Sequence, residues 1–138
     1  MILDDELTRI NALTEKIIGC AIEVQRCLGT GLLESAYAAA LSIELEKRGL
    51  KHQREVPIVA NYKGVPLGVG FRADFIVEGK LLLELKAGEG PSDVQRAQVL
   101  SYLRLSALRL GLLINFHEAP LASRGIARVV NQNQIQTL

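Results

Sequence analysis

The sequence predicts an α/β fold: a mixed central β-sheet flanked by helices, with two helices at the N-terminal end. Three observations predict it. Residues 5–48 carry apolar side chains at three- and four-residue spacing, the period of a helix. From residue 55 the pattern shortens into β-branched runs separated by turn residues. A further helical stretch then lies between strongly apolar runs, the arrangement that joins strands of one sheet through a crossover.

Leu7, Ile10, Leu13, Ile17, Ala21, Val24 and Leu28 form the stripe of an amphipathic helix over 5–28. Gly29-Thr30-Gly31 breaks it. A second helix is expected over 32–48, with Leu33, Tyr37, Ala40, Leu41 and Leu45 inward and Gly49 as its stop. Strands follow at 55–62, at 65–71, where Gly68 and Gly70 interrupt, and at 72–77. Asn61-Tyr62-Lys63-Gly64 is the first turn and Glu78-Gly79-Lys80 a hairpin loop. An apolar strand is expected at 81–87, a loop at Gly88-Glu89-Gly90-Pro91, and a helix to residue 107 with Ser92 as its N-cap. A buried strand at 109–116 and a short one at 126–130 complete the order. Residues 131–138 are polar and expected to fray, and 1–138 reads as one domain.

Composition narrows the function. The chain has 138 residues, of which 49% are hydrophobic and 22% charged, so wholesale disorder is excluded. Sixteen Lys+Arg against fifteen Asp+Glu give a net charge of +1. No bulk charge announces a nucleic-acid or membrane partner, although a local patch is compatible with this balance. With 4% aromatic residues and no Trp, base recognition by a sheet of stacked aromatics is disfavoured. Cys20 and Cys27, seven apart on one expected helix, lie about 10 Å apart along its axis, too far for a disulfide. A zinc site would need both His52 and His117, which are distant in sequence. The acidic start is no secretory signal, and no apolar run approaches the roughly 20 residues of a membrane span. A reduced, soluble, cytoplasmic protein is expected.

Five polar residues, Glu34, Asp74, Glu84, Lys86 and Gln98, interrupt the apolar pattern or share one expected face. In the strand Leu81-Leu82-Leu83-Glu84-Leu85-Lys86, period-two alternation puts Leu82, Glu84 and Lys86 on one face. A carboxylate and an ammonium there are costly unless paired or bound to a cation. An ion pair on a solvated face is the plainer reading. Asp74 changes the balance. If the hairpin loop is the three residues 78–80, Asp74 falls opposite Glu84 with Cβ atoms about 5 Å apart. A two-residue loop would turn Asp74 away. Two carboxylates that close repel unless a proton or metal ion lies between them, and Mg²⁺ or Mn²⁺ suits such oxygens. The Leu85 carbonyl is a candidate further ligand, and Lys86 a group to orient an attacking water or stabilise developing negative charge. Glu34, in the first turn of the second helix, is either a dipole-favoured carboxylate or a third acid facing the cation. Gln98 and Tyr102 share a helix face flanked by Gln95, and Tyr37 shares one with Glu34. Gln98, Tyr102 and Gln95 are either a solvated stripe or the lining of a cleft, and Tyr37, Gln95 and Tyr102 are the candidate substrate-lining residues.

Gly31-Leu32-Leu33-Glu34-Ser35-Ala36-Tyr37 resembles the motif that names the GxxExxY protein family. Asn61-Tyr62-Lys63-Gly64, Arg72-Ala73-Asp74-Phe75, Leu83-Glu84-Leu85-Lys86-Ala87, the stretch from Ala97 to Leu103 and the stretch from Gly111 to Phe116 resemble it too, in its order. That family is placed in the PD-(D/E)XK superfamily, so the resemblance implies a restriction-endonuclease-like core. It implies that Asp74, Glu84 and Lys86 are the superfamily's Asp and Glu-x-Lys, Glu34 its N-terminal acid and Gln98 its following polar residue. The sequence departs at Gln95, where relatives often carry His, and at Ala73, which stands where the superfamily's Pro is found.

Three readings follow. The first is a Mg²⁺- or Mn²⁺-dependent nuclease hydrolysing DNA, with Glu34, Asp74, Glu84, Lys86 and Gln98 as catalytic residues and Asp74, Glu84, Leu85 and Glu34 around the metal. The alternative is a non-catalytic nucleic-acid-binding or regulatory module, with Arg72, Lys80, Lys86, Arg96 and Arg104 as a local basic patch. The third is an interaction protein, a homodimer formed through an apolar stripe of the first helix too wide for one small sheet to cover.

Overall fold

The computed structural model describes residues 2–132, with backbone alone at 2–4 and 69. Its elements are α1 (Ile2–Leu28), α2 (Glu34–Lys47), β1 (His52–Tyr62), β2 (Val65–Val77), β3 (Leu81–Lys86), α3 (Asp93–Ser106), β4 (Leu110–Asn115), a π-helical turn (Leu121–Gly125) and β5 (Ile126–Val130). The strands form one five-stranded sheet in the order β1-β2-β3-β4-β5. β3 and β4 are parallel and joined through α3, while the other neighbours are antiparallel. This is the mixed sheet flanked by helices that the sequence predicts, a restriction-endonuclease-like architecture.

Each face of the sheet carries its own core. Ile10, Leu13, Ile17, Cys20, Ala21 and Val24 of α1 join Tyr37, Leu41 and Leu45 of α2 over Leu81, Leu83, Leu85, Leu112 and Ile114. On the other face Val99 and Leu103 of α3 cover Leu82, Leu113, Ala127 and Val129. β3 is therefore buried on both sides, and Leu81, Leu82, Leu83 and Leu85 are all fully buried. Each contributes roughly 2 kcal/mol of hydrophobic stabilisation, which makes β3 a rigid base for the polar residues it also carries.

Several expectations change. The stretch 65–77 is one strand, not two, because register shifts near Val59 absorb the irregularity opposite the glycines. α2 starts two residues later than expected, and Leu33, at its N-cap, is exposed. The middle of the α1 stripe, Ile10 to Val24, is covered by α2 and the sheet, while Leu7 and Leu28 at its ends are exposed. Asn131 is not frayed: it is buried, its N–H donates to the Arg109 carbonyl at 2.8 Å, and its Nδ2 donates to the Leu108 carbonyl. The rest of the expected tail, 133–138, lies outside the described residues. Among the described residues both cysteines are free, and no helix is long and apolar enough to cross a membrane.

Candidate active site

The site begins where β2 and β3 part. Their paired residues are Val77 with Leu81, Ile76 with Leu82 and Phe75 with Leu83, across the three-residue loop 78–80. Extending that register by one pair sets Asp74 across from Glu84. There the backbone ladder stops and side chains take over its hydrogen bonds. The Asp74 N–H donates to Glu84 Oε1 at 3.0 Å, and the Leu85 N–H donates to Asp74 Oδ2 at 2.7 Å. Each carboxylate is thus fixed by the other's strand. Lys86 is held from the opposite edge, since its carbonyl accepts from the Phe116 N–H at 2.9 Å. By strand alternation the Leu85 peptide groups turn the other way, toward the fork.

A kink opens this fork. Phe71 and Ala73 pack in the core under α3, whereas Phe75 and Val77 pack in the opposite core, so the alternation of β2 slips across Asp74. Across the β1–β2 pair, between the pairs Arg54 with Phe75 and Val56 with Ala73, stands Glu55 with φ of 50°. A non-glycine residue in the left-handed region within a strand stores roughly 1–3 kcal/mol. Nothing in the sequence marked Glu55, whose charge also bears on Asp74.

The electrostatics show which groups share the space. Burial first and the neighbouring Asp74 charge second push the Glu84 carboxyl up to about 7, against the opposing pull of the Asp74 N–H and Lys86. Asp74 is also raised by burial, opposed by the Leu85 N–H and Lys86. Glu34 is raised by partial burial and by Asp74, and lowered by Lys86. Tyr102 is raised by burial and then by Glu84 and Asp74. Three carboxylates, one ammonium and one phenol from β2, β3, α2 and α3 therefore act on one another.

Glu34 reaches this cluster through its preceding turn. Gly31, with φ of 97°, reverses the chain after α1, and Glu34 opens α2 one turn before Tyr37. Tyr37 does not line the cleft. It is fully buried and stacked on Phe116, its hydroxyl donates to the Gly29 carbonyl at 2.7 Å, and it accepts from the Leu32 N–H at 3.1 Å. His117 Nε2 lies 2.8 Å from the Leu32 carbonyl. The Gly-x-x-Glu-x-x-Tyr spacing is thus a turn, a carboxylate and the buried clasp that fixes the turn. Tyr37→Phe keeps the ring and loses both bonds. It is expected to cost about 2 kcal/mol, read by chemical denaturation; a change under about 0.5 kcal/mol contradicts the clasp.

On α3, Tyr102 is half-buried and its ring stacks on Phe71 of β2. Gln98, one turn earlier on the same face, is exposed. Gln95 is not available to a substrate: its Oε1 accepts from the Ser92 N–H in a capping box, and its Nε2 donates to the Glu89 carbonyl. Lys80 also leaves the expected basic patch, because it precedes β3 at the end opposite Lys86.

One residue of the site went unread. Asn115, fully buried beside Lys86 in the β3–β4 register, donates through Nδ2 to the carbonyls of Gly88 at 2.9 Å and Gly90 at 2.7 Å. Its Oδ1 accepts from the His117 N–H at 3.0 Å. It fastens the loop between Lys86 and α3. A polar residue closing the apolar run LGLLIN was the available signal. Asn115→Ala strands two carbonyls and is expected to cost about 3 kcal/mol, measured by urea melts; a loss below about 1 kcal/mol would show that the loop holds itself.

Asp74 Oδ1 and Glu84 Oε2 have no protein hydrogen-bond partner among the described residues. Two hard, mutually repelling carboxylates with free oxygens fit a Mg²⁺-type ion, which takes one or two carboxylates and fills its remaining positions with water. No three Asp, Glu, His or Cys side chains among the described residues converge into a ready-made cage.

A search of curated proteins finds no match. Among solved structures the chain is similar to the crystal structure of SSO0001, with a TM-score of 0.52 and 18% identity over 75% of this chain and 55% of that one. This chain thus spans about half the length of that protein, and the likeness is one of fold. Residues 11–129 match the PD-(D/E)XK nuclease superfamily, whose nucleases generally use divalent metals. An Asp and a Glu-x-Lys fixed face to face at a strand fork, in a chain matched over nearly its whole length, place the protein in one family: it belongs to the PD-(D/E)XK nuclease superfamily.

Proposed function

We propose that the protein is a divalent-metal-dependent nuclease that hydrolyses phosphodiester bonds of DNA, and within its superfamily a member of the GxxExxY family. The observation that carries this reading is the interlock of Asp74 and Glu84 across the β2–β3 fork with Lys86 two residues beyond Glu84. Asp74 and Glu84 would hold Mg²⁺ or Mn²⁺, with the Leu85 carbonyl and Glu34 beside it. Such an ion, when bound, supplies an acidified water and neutralises charge on the phosphate. The chain's own groups do the rest. The interlocking hydrogen bonds keep both carboxylates aimed into the fork. The Lys86 ammonium pairs with developing negative charge and orients the attacking water. Glu34 adds negative charge on the α2 side, while Tyr102 and Gln98 offer hydrogen-bonding groups toward the nucleic-acid backbone. The experiment is cleavage of plasmid and of single-stranded DNA with Mg²⁺ or Mn²⁺, against Asp74→Ala. Equal rates in both proteins, or no cleavage by either, defeat the proposal.

A second reading, a nucleic-acid-binding or regulatory module without turnover, is favoured by the near-neutral net charge of +1. It predicts DNA affinity that falls steeply with salt through Arg72, Lys86 and Arg96, without cleavage; Arg104, near the end of α3, lies toward the Lys80 end. Salt-independent or undetectable affinity removes it.

A further inference from the structure

The long hairpin that leads into Asp74 reaches past the rest of the sheet and carries a surface that the cleavage chemistry does not use. β2 pairs with β3 through Phe75, Ile76 and Val77. From Arg72 back to Val65 its paired strand, among the described residues, is β1 alone. Ile58 and Phe71 are the last side chains toward the tip that join the core under α3. Beyond them every residue from Asn61 to Gly68 is exposed. The strand from Val65 to Phe71 makes this arm roughly 20 Å long. Lys63 and Gly64, with φ of 50° and 82°, close its tip in the tight turn that suits a twisted ribbon.

The arm is both apolar and cationic. Tyr62 pairs with Val65 across the ribbon, and Leu67 lies two residues on, so the three share one face. They are 60%, 60% and 64% exposed. From Val56 to Ala73 the charged residues are Lys63 and Arg72, with no acid among them. The Lys63 ammonium lies over the Tyr62 ring, 5.3 Å from its centroid. Arg72 is exposed two residues before Asp74. An acid-free strip of this kind is complementary to a polyanion. The same strand runs straight on into Asp74, so a nucleic acid with a phosphodiester in the fork also passes the arm. A two-stranded ribbon fits the major groove of B-DNA, about 12 Å wide, where thymine methyl groups take apolar contacts.

We infer, resting on the nuclease reading, that the β1–β2 arm docks in the major groove of duplex DNA, with Tyr62, Val65 and Leu67 against base edges and Lys63 on phosphate. The substrate is thereby narrowed to the duplex. The test is fluorescence anisotropy of a labelled A·T-rich duplex with the full chain in Ca²⁺, which neutralises the fork carboxylates. The matching single strand is expected to bind about tenfold more weakly. Tyr62→Ser combined with Leu67→Ser, both exposed positions, is expected to weaken duplex binding about tenfold with Tm unchanged. Lys63→Ala is expected to weaken it about threefold and to lower the salt slope by about 1. A duplex with uracil in place of thymine lacks the methyl groups and is expected to bind about threefold more weakly. Undetectable duplex binding, equal binding by the parent and the double variant, or equal affinity for the thymine and uracil duplexes overturns the inference. So does a double variant that keeps its DNA affinity but loses self-association in sedimentation or binding to phosphatidylserine vesicles, because the arm then serves a second copy or a lipid surface. Mn²⁺-dependent cleavage is read separately. A double variant that binds and cleaves like the parent removes the arm's role and leaves the nuclease reading standing, whereas arm-dependent duplex binding without cleavage by the parent does the reverse.

Discussion

Asp74→Asn is expected to lower Mn²⁺-dependent DNA cleavage by about a thousandfold while the fold survives. The amide oxygen still accepts the Leu85 N–H, so the fork keeps its shape. What disappears is one of two charges that hold the cation. Losing roughly 4 kcal/mol of metal-borne transition-state stabilisation corresponds to about a thousandfold in rate. Initial nicking rates at saturating Mn²⁺ measure the effect, with circular dichroism melts to verify folding. A folded variant within tenfold of the parent would mean that Asp74 does not hold the catalytic ion.

The second large effect is on stability against pH. Without divalent cations the folded protein is expected to lose about 3 kcal/mol between roughly pH 4.5 and pH 7. Glu84 titrates at about 7 in the fold against an ordinary 4.5, chiefly because burial disfavours its charged form. Its folded pKa lies above the unfolded one, so the folded state holds the proton more tightly. That stability is complete below about pH 4.5 and is gone once pH passes about 7. The raised Asp74 pushes in the same direction. Glu84→Gln should flatten the curve. At pH 8, Mn²⁺ at ten times its Kd should restore about 1 kcal/mol by binding both ionised carboxylates. Urea unfolding across pH measures both effects. A curve that rises from pH 4.5 to 7 would show that Glu84 is stabilised as an anion by some group other than a metal.

What the sequence made legible follows from periodicity. Alternation in LLLELK separated Glu84 and Lys86 from Leu83 and Leu85, but the choice between a two- and a three-residue loop, and with it the side Asp74 takes, was settled only by the strand register. The α1 stripe, β4 and the α3 cap at Ser92 were equally readable, because each rests on a local pattern. Tyr37 and Gln95 were misplaced for a shared reason. Helical spacing gives the face a residue occupies, but not whether its polar atom is already taken by a neighbouring turn. Tyr37 is spent on the Gly29–Leu32 turn and Gln95 on the capping box. The kink at Glu55 was invisible, since a left-handed residue inside a strand has no compositional mark when it is not glycine or asparagine. Asn115 acts across 25 and 27 residues of sequence on the loop it holds, a distance no local pattern spans. Arg109 read as the start of a buried strand. Its burial, with no hydrogen-bonded side-chain partner among the described residues, depends on how α1 lies over β4.

The most direct test of the central idea, that the β2–β3 fork grips a divalent ion between two opposed carboxylates, is anomalous diffraction from crystals soaked in Mn²⁺. A manganese peak about 2.1–2.2 Å from oxygens of both Asp74 and Glu84 is the predicted result. A peak bound elsewhere with the fork empty, or an ammonium–carboxylate pair of Lys86 closing the space instead, would contradict it.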